Sequence, residues 1–319
     1  MTQSEHTTAT YPTPAEQRIL SQGIHLNVLT FAGDPATTPI VVLHGMRDTA
    51  HAFTPTITTL QKNLSPAPPI YAIEHRGHGK SDWSNAYTMG ALVLDIYNVI
   101  HTLIKQPVNL LCHSMGGHVG TRYAALFPED INAIVLVDGL GPPRREHLQD
   151  QAMALEYERH MLLTRLNSAS KRGVLKDHDD VATRLLRNNP RLPEAEAYRL
   201  AVHMSQTTPE GLTWAFDSRT SGIFAGVSED QSAMYWQHVK APVCVVTGTL
   251  THEYWAKELG DGQWDGRFQE GELEARCEAF ADHEVHWLAE AGHMINYDQP
   301  HKLGKLAAEF FGRRETRHV

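Results

Sequence analysis

Short apolar runs bounded by turn-forming residues recur along this chain and alternate with stretches of helical spacing. Ile24–Val28 alternates apolar and polar positions, the pattern of a strand with one exposed face. Pro39–Leu43 and Pro69–Ile73 are short and apolar, which suits strands buried in a parallel sheet. Leu92, Ile96, Val99, Ile100, Leu103 and Ile104 follow helical spacing and predict a helix. Val108–Leu111 reads as the next strand, followed by a small-residue, helix-like stretch through Gly120 and Ala124, then a strand over Ile134–Val137. Val243–Val246 and Val285–Leu288 are further strands, and a helix-like stretch around Leu303–Phe311 closes the pattern. Strands that alternate with helices predict an α/β fold, with a mainly parallel sheet covered on both faces.

From about Pro142 to Val239 the rhythm breaks. This interval is rich in Arg and Glu and carries helical patterns, as in Val181–Leu186 and Pro193–Met204. It reads as a helical lid inserted between two strands of the sheet. The expected organisation is therefore a disordered tail over 1–14, a core over 15–141 and 240–319, and a lid over 142–239. With 319 residues, 41% of them hydrophobic, the chain can bury one large core and still carry an inserted subdomain. Met1–Pro14 is polar and Thr-rich, without the basic start and apolar centre of a signal peptide, and reads as a frayed tail. No stretch is apolar enough for a membrane span. A net charge of −9 without a basic run argues against a nucleic-acid partner. The three cysteines, Cys112, Cys244 and Cys277, have no metal-ligand spacing and fit a reduced, cytoplasmic setting. No metal or organic cofactor is expected, and a homo-oligomer is left open.

The chemistry concentrates at the expected strand ends. Ser114 stands in Cys112-His113-Ser114-Met115-Gly116-Gly117, between a strand and a helix. A serine on such a strained turn is lifted clear of the sheet for attack. The segment is one letter short of G-x-S-x-G, because Cys112 occupies the first glycine position. Small Gly116 lets helix and strand pack closely beneath the serine. A chance S-x-G in a loop is the structural alternative. In open parallel sheets ligands bind beyond the carboxyl ends of the strands. His44-Gly45-Met46, Ser114, Asp138 and His293 all fall at or near such ends. An attacking serine needs a base, and the base needs an acid to set its tautomer.

Four segments, taken in order, resemble the α/β-hydrolase family over nearly the whole chain from about Gly23. They are Val42-Leu43-His44-Gly45, Arg76-Gly77-His78-Gly79-Lys80-Ser81, His113-Ser114-Met115-Gly116-Gly117 and Ala291-Gly292-His293. Val137–Pro142 and Tyr297-Asp298-Gln299-Pro300 further resemble a bacterial branch of lid-bearing serine hydrolases. The resemblance implies a Ser114 nucleophile, a His293 base, and an oxyanion-hole loop at His44-Gly45. The backbone N–H groups of Met46 and Met115 would be the two oxyanion donors. It also makes His75 and His78 structural residues of a loop at the sheet edge.

The acid has two candidates. The family usually carries it after the strand that follows the lid, where this chain has Thr251 at the expected position and Glu253 two residues later. Asp138, after the strand that precedes the lid, is the preferred candidate. Trp214, Phe216, Met234 and Trp236 are candidates to line an apolar substrate pocket, with lid core as the alternative, and Asp217 is a structural partner. The expected activity is hydrolysis of a small-molecule carboxylic ester through an acyl-enzyme. The rivals are a carbon–carbon bond hydrolase of the ring-cleavage type and a non-catalytic binding protein on the same fold.

Overall fold

The fold was taken from a computed structural model, which describes residues 11–145, 151–168, 173–259 and 264–315. Residues 1–10 of the expected tail, and residues 146–150 and 169–172 of the expected lid, lie outside the described residues.

The strands are β1 (Ala15–Ser21), β2 (Ile24–Phe31), β3 (Ile40–Leu43), β4 (Ile70–Ile73), β5 (Val108–His113), β6 (Ile131–Val137), β7 (Ser205–Thr208), β8 (Gly211–Trp214), β9 (Val243–Gly248) and β10 (His283–Leu288). Eight of them form one sheet in the order β1-β2-β4-β3-β5-β6-β9-β10. Pairing is parallel from β4 onward, and antiparallel only for β1 on β2 and β2 on β4.

The period of two in a strand sorts the apolar residues onto the two faces. Val42, Leu111, Val135, Val137, Cys244 and Val246 face helices Thr54–Lys62 and Pro300–Glu315. Val41, Leu43, Leu110, Cys112, Ile134, Leu136, Val243 and Val245 face helices Met89–Val99 and Met115–Leu126 on the other side. The continuous apolar runs of the sequence thus correspond to strands covered twice, and β5 and β9 are buried along their whole length.

Three expectations change. The alternation of Ile24–Val28 marks an exposed position only at His25: Asn27 is 1% exposed, and its side-chain amide donates to Glu74 at 3.1 Å. A polar residue is tolerated inside because its hydrogen bond replaces the lost water. The outer strand is instead β1, which joins β2 through a two-residue turn at Gln22-Gly23, both at positive φ. Second, the segment between β6 and β9 is not wholly helical, since it carries the β7–β8 hairpin beside helices Gln151–Ser168, His178–Asn188 and Glu194–His203. Polar Ser-Gln-Thr-Thr gives no hydrophobic alternation to find. Third, its last helix, Glu229–Trp236, belongs to the core layer: Trp236 is buried with Phe280, Leu273 and Val119. No helix of the described residues is long and apolar enough to cross a membrane.

Candidate active site

β5 ends at His113, and the helix starting at Met115 leaves Ser114 alone on the turn, at φ 50° and ψ −118°. L-residues avoid that region, so the turn must be held from outside. The Ser114 N–H donates to Val137 O at 3.0 Å, and its own carbonyl accepts from Gly117 N–H at 2.8 Å. A Cβ on Gly116 would lie 2.4 Å from the Leu43 carbonyl oxygen, so glycine alone allows this approach of helix to sheet. Cys112 stands where the pattern has its first glycine, and its sulfur occupies the space beside Gly120, 2.6 Å from where a Cβ would fall.

The loop after β10 brings His293 to the serine. His293 Nε2 lies 2.9 Å from Ser114 Oγ, and its Nδ1 lies 2.5 Å from Asp138 Oδ2. An ionised carboxylate only accepts, so Nδ1 carries the proton and the Nε2 lone pair meets the serine hydroxyl. Asp138 follows β6 at φ 43°, and its N–H continues the ladder to Val246 O at 2.8 Å. Its oxygens also accept from Thr247 Oγ1 at 2.8 Å and Thr251 Oγ1 at 3.1 Å. The position where the family pattern expects an acid therefore supplies a hydroxyl to an acid placed elsewhere. Glu253 is exposed and ion-paired with Arg191, and it takes no part in this chain of contacts. The His293 loop is fixed at three points. Leu250 N–H donates to Ala291 O at 2.8 Å, Gly292 N–H to Asp298 Oδ2 at 2.7 Å, and His113 Nε2 to His293 O at 2.9 Å.

The His44-Gly45-Met46 loop packs on the elbow: a Cβ at Gly45 would lie 3.3 Å from Ser114 Cβ. No described backbone carbonyl accepts from the N–H of Met46 or Met115. Met115 opens a helix, where such groups favour negative charge. Behind the loop, His44 donates from Nδ1 to Gly45 O at 2.7 Å and accepts from His75 N–H at 3.1 Å. His78 Nε2 accepts from Arg47 N–H at 3.1 Å. Burial holds His44 well below the usual range, His75 and His113 at about 3 and His78 at about 4. All four are neutral supports of the loops at physiological pH.

Residues 40–305 match the profile described as the Alpha/beta hydrolase family. The chain belongs to the alpha/beta hydrolase family. This hydrolase is 22% identical to a serine hydrolase-like protein of Danio rerio over 85% of its own length and 81% of the relative's. It is 25% identical to (E)-2-((N-methylformamido)methylene)succinate hydrolase of Acinetobacter baylyi (strain ATCC 33305 / BD413 / ADP1), with coverage of 66% and 72%. Among solved structures, the thioesterase domain from the curacin biosynthetic pathway superposes with a TM-score of 0.75 at 20% identity, covering 92% of this hydrolase and 99% of that chain.

Sequence reasoning missed the aromatic wall of this hydrolase. Tyr254 stacks on the His293 ring with centroids 4.0 Å apart, and Trp255 packs at 4.9 Å. The signal was present, since the pair directly follows Glu253, three residues past Thr251 on helix Thr251–Leu259. Of the pocket candidates, Trp214 and Phe216 are half-buried and stacked at 5.7 Å, and Phe216 forms a backbone bridge with His78. Trp236 is corrected from pocket to core: at 1% exposure it packs on Phe280, because its helix faces the hydrolase core. Met234 of the same helix is 48% exposed. Asp217 accepts from Tyr87 Oη at 2.7 Å, and its N–H donates to Gly77 O at 2.8 Å, which fastens the insert to the sheet-edge loop. Among the described residues one trio, Cys244, Glu284 and His286, groups atoms able to ligate a metal, but its carboxylate is already paired with Arg313 at 2.7 Å.

Proposed function

We propose that this chain is a serine hydrolase that cleaves carboxylic esters through an acyl-enzyme. The observation that carries the reading is the single line of hydrogen-bond distances from Asp138 through His293 to Ser114, which suits the tautomer that general-base catalysis requires. As Ser114 Oγ bonds the acyl carbon, its proton passes to His293 Nε2. The carbonyl oxygen becomes negative and is held by the N–H groups of Met46 and Met115. Loss of one such donor typically costs about a hundredfold to a thousandfold in rate. Collapse expels the alcohol with the proton from His293. Water then gives a proton to His293 as its oxygen bonds the acyl carbon, and collapse breaks the bond to Ser114 Oγ, which takes that proton back from His293 as the carboxylic acid leaves. Asp138 keeps the ring oriented and stabilises the imidazolium throughout. The described part of the insert that precedes helix Glu229–Trp236 acts as a lid over the strand ends, with Trp214 and Phe216 toward the acyl chain.

A relative named for hydrolysis of an amidomethylene succinate favours a second reading. In it the same serine and histidine cleave a carbon–carbon or carbon–nitrogen bond of an unsaturated acid. An intact line of contacts supports either hydrolase over a binding protein that keeps only the fold. A panel of aryl esters and vinylogous diketones offered to the purified protein separates the two. Turnover of the esters alone supports the first reading, and turnover of the diketones alone would replace it with the second.

Turnover of the preferred ester, followed from about pH 5 to 8, is expected to fall on the acid side, because the base must be neutral to accept the serine proton. The supporting histidines stay neutral over that range, since His75 and His113 lie at about 3 and His78 at about 4. Asp48, which burial raises to about 6, titrates within that range as well, so the limb should persist in Asp48→Asn. A flat profile, or a limb lost in that variant, contradicts His293 as the base.

A further inference from the structure

A buried carboxylate outside the Ser114–His293–Asp138 line joins two loops of the site. Asp48 lies two residues past Met46 and is 3% exposed. Its Oδ1 accepts from Thr49 N–H at 2.8 Å and from the Tyr297 hydroxyl at 2.6 Å, and its Oδ2 accepts from the Asn296 amide at 3.2 Å. Asn296 and Tyr297 belong to the short helix Ile295–Asp298, which begins two residues after His293. The loop with the oxyanion donor and the loop with the base are therefore fastened to each other through one side chain.

We infer that Asp48 is a positioning residue that locks the Met46 amide and the His293 ring into a common geometry around Ser114. The inference rests on the acyl-enzyme reading above. Three observations support it. Arg47, between Met46 and Asp48, sits at φ 58°, a conformation that an L-residue keeps only when its neighbours are restrained. Asp48 also has no ion-pair partner among the described residues. Arg199, whose charge bears on it, is bound to Glu196 and to the carbonyl of His51. Burial of such a carboxylate is costly, and its three donors are what hold it in place. Finally, the donors come from both sides of the join: Thr49 from the oxyanion loop, Asn296 and Tyr297 from the histidine side.

Burial raises the Asp48 carboxyl, while Tyr297, Thr49, Asn296 and Arg199 oppose that rise. The experiment is therefore run at pH 8, with the group ionised. The variants are Asp48→Ala, Asp48→Asn and Tyr297→Phe. Two rates are read: phosphonylation of Ser114 by a fluorophosphonate, and ester kcat per titrated active site, with KM alongside. Asp48→Ala and Tyr297→Phe should each slow both rates at least tenfold with KM changed less than threefold, since displacements near 1 Å can cost about a hundredfold. Asp48→Asn should be faster than Asp48→Ala. Its carbonyl can still accept from Thr49 and Tyr297, and its amide can donate to Asn296 Oδ1, which has no partner, once that amide turns over.

A purely structural role would lower the number of active sites and the melting temperature, and leave the rates per site intact. Losses below tenfold in the folded variants, or an Asp48→Asn no faster than Asp48→Ala, overturn the inference. If Asp48→Ala does not fold, Tyr297→Phe decides alone, because it removes a single oxygen. If the wild type is phosphonylated at Ser114 but turns over no ester, the ester reading fails, and the phosphonylation rates still decide the role of Asp48.

Discussion

Ser114→Ala should remove ester turnover by about five to six orders of magnitude, the loss seen when a serine nucleophile is deleted from a working triad. The hydroxyl meets His293 Nε2 at 2.9 Å and makes no other side-chain hydrogen bond among the described residues, so no second bond of the fold goes with it. The elbow itself is held by backbone groups, Ser114 N–H on Val137 and Gly117 N–H on Ser114, which alanine keeps. Circular dichroism and the melting temperature should therefore match the wild type. A variant that keeps even one per cent of the rate would move the chemistry to another residue.

Asp138→Asn should cost about ten-thousandfold in kcat, against less than about threefold for Glu253→Gln. The cause is the tautomer. An amide nitrogen turned toward His293 donates to Nδ1, which pushes the proton to Nε2 and leaves no lone pair for Ser114. The change is isosteric, and the oxygen that remains, at the Oδ1 position, can still accept from Thr247. Glu253 is an exposed partner of Arg191, and such surface pairs contribute about 0–1 kcal/mol. Kinetics of the two variants side by side settle the assignment. A larger loss in Glu253→Gln would place the acid after β9 instead.

The parallel sheet was legible because a strand covered on both faces must be apolar at every position, and Ile40–Leu43, Leu110–Cys112 and Val243–Val246 are. Where polarity was satisfied inside, the pattern misled: Asn27 reads as an outward residue and is bonded to Glu74 in the interior. The β7–β8 hairpin was invisible for the opposite reason, since Ser205–Thr208 has no apolar alternation and pairs through its backbone. Trp236 shows a different limit. Sequence marks an aromatic residue as valuable, but only the packing of helix Glu229–Trp236 says which side of the sheet it fills.

In the site, Ser114 and His293 were readable from small-residue turns, which are the local condition for a side chain to stand clear of a sheet. Asp138 was readable as one of two acids at strand ends. What separates it from Glu253 is a long-range contact across 155 positions, with Thr247 arriving from β9 and Thr251 from the helix that follows it. The same holds for Tyr254 and Trp255, whose value lies in the ring they meet. Asp48 and Tyr297 are 249 positions apart, and no local pattern announces their bond.

The central claim is that Ser114 becomes covalently acylated during turnover. Its most direct test is rapid acid quench of the protein with an activated aryl ester, followed by intact and peptide mass spectrometry. The expected result is one acyl group per chain, formed in a burst within the first turnover and located on the peptide containing Ser114. Turnover without any adduct, or with the acyl group on another residue, would contradict the account.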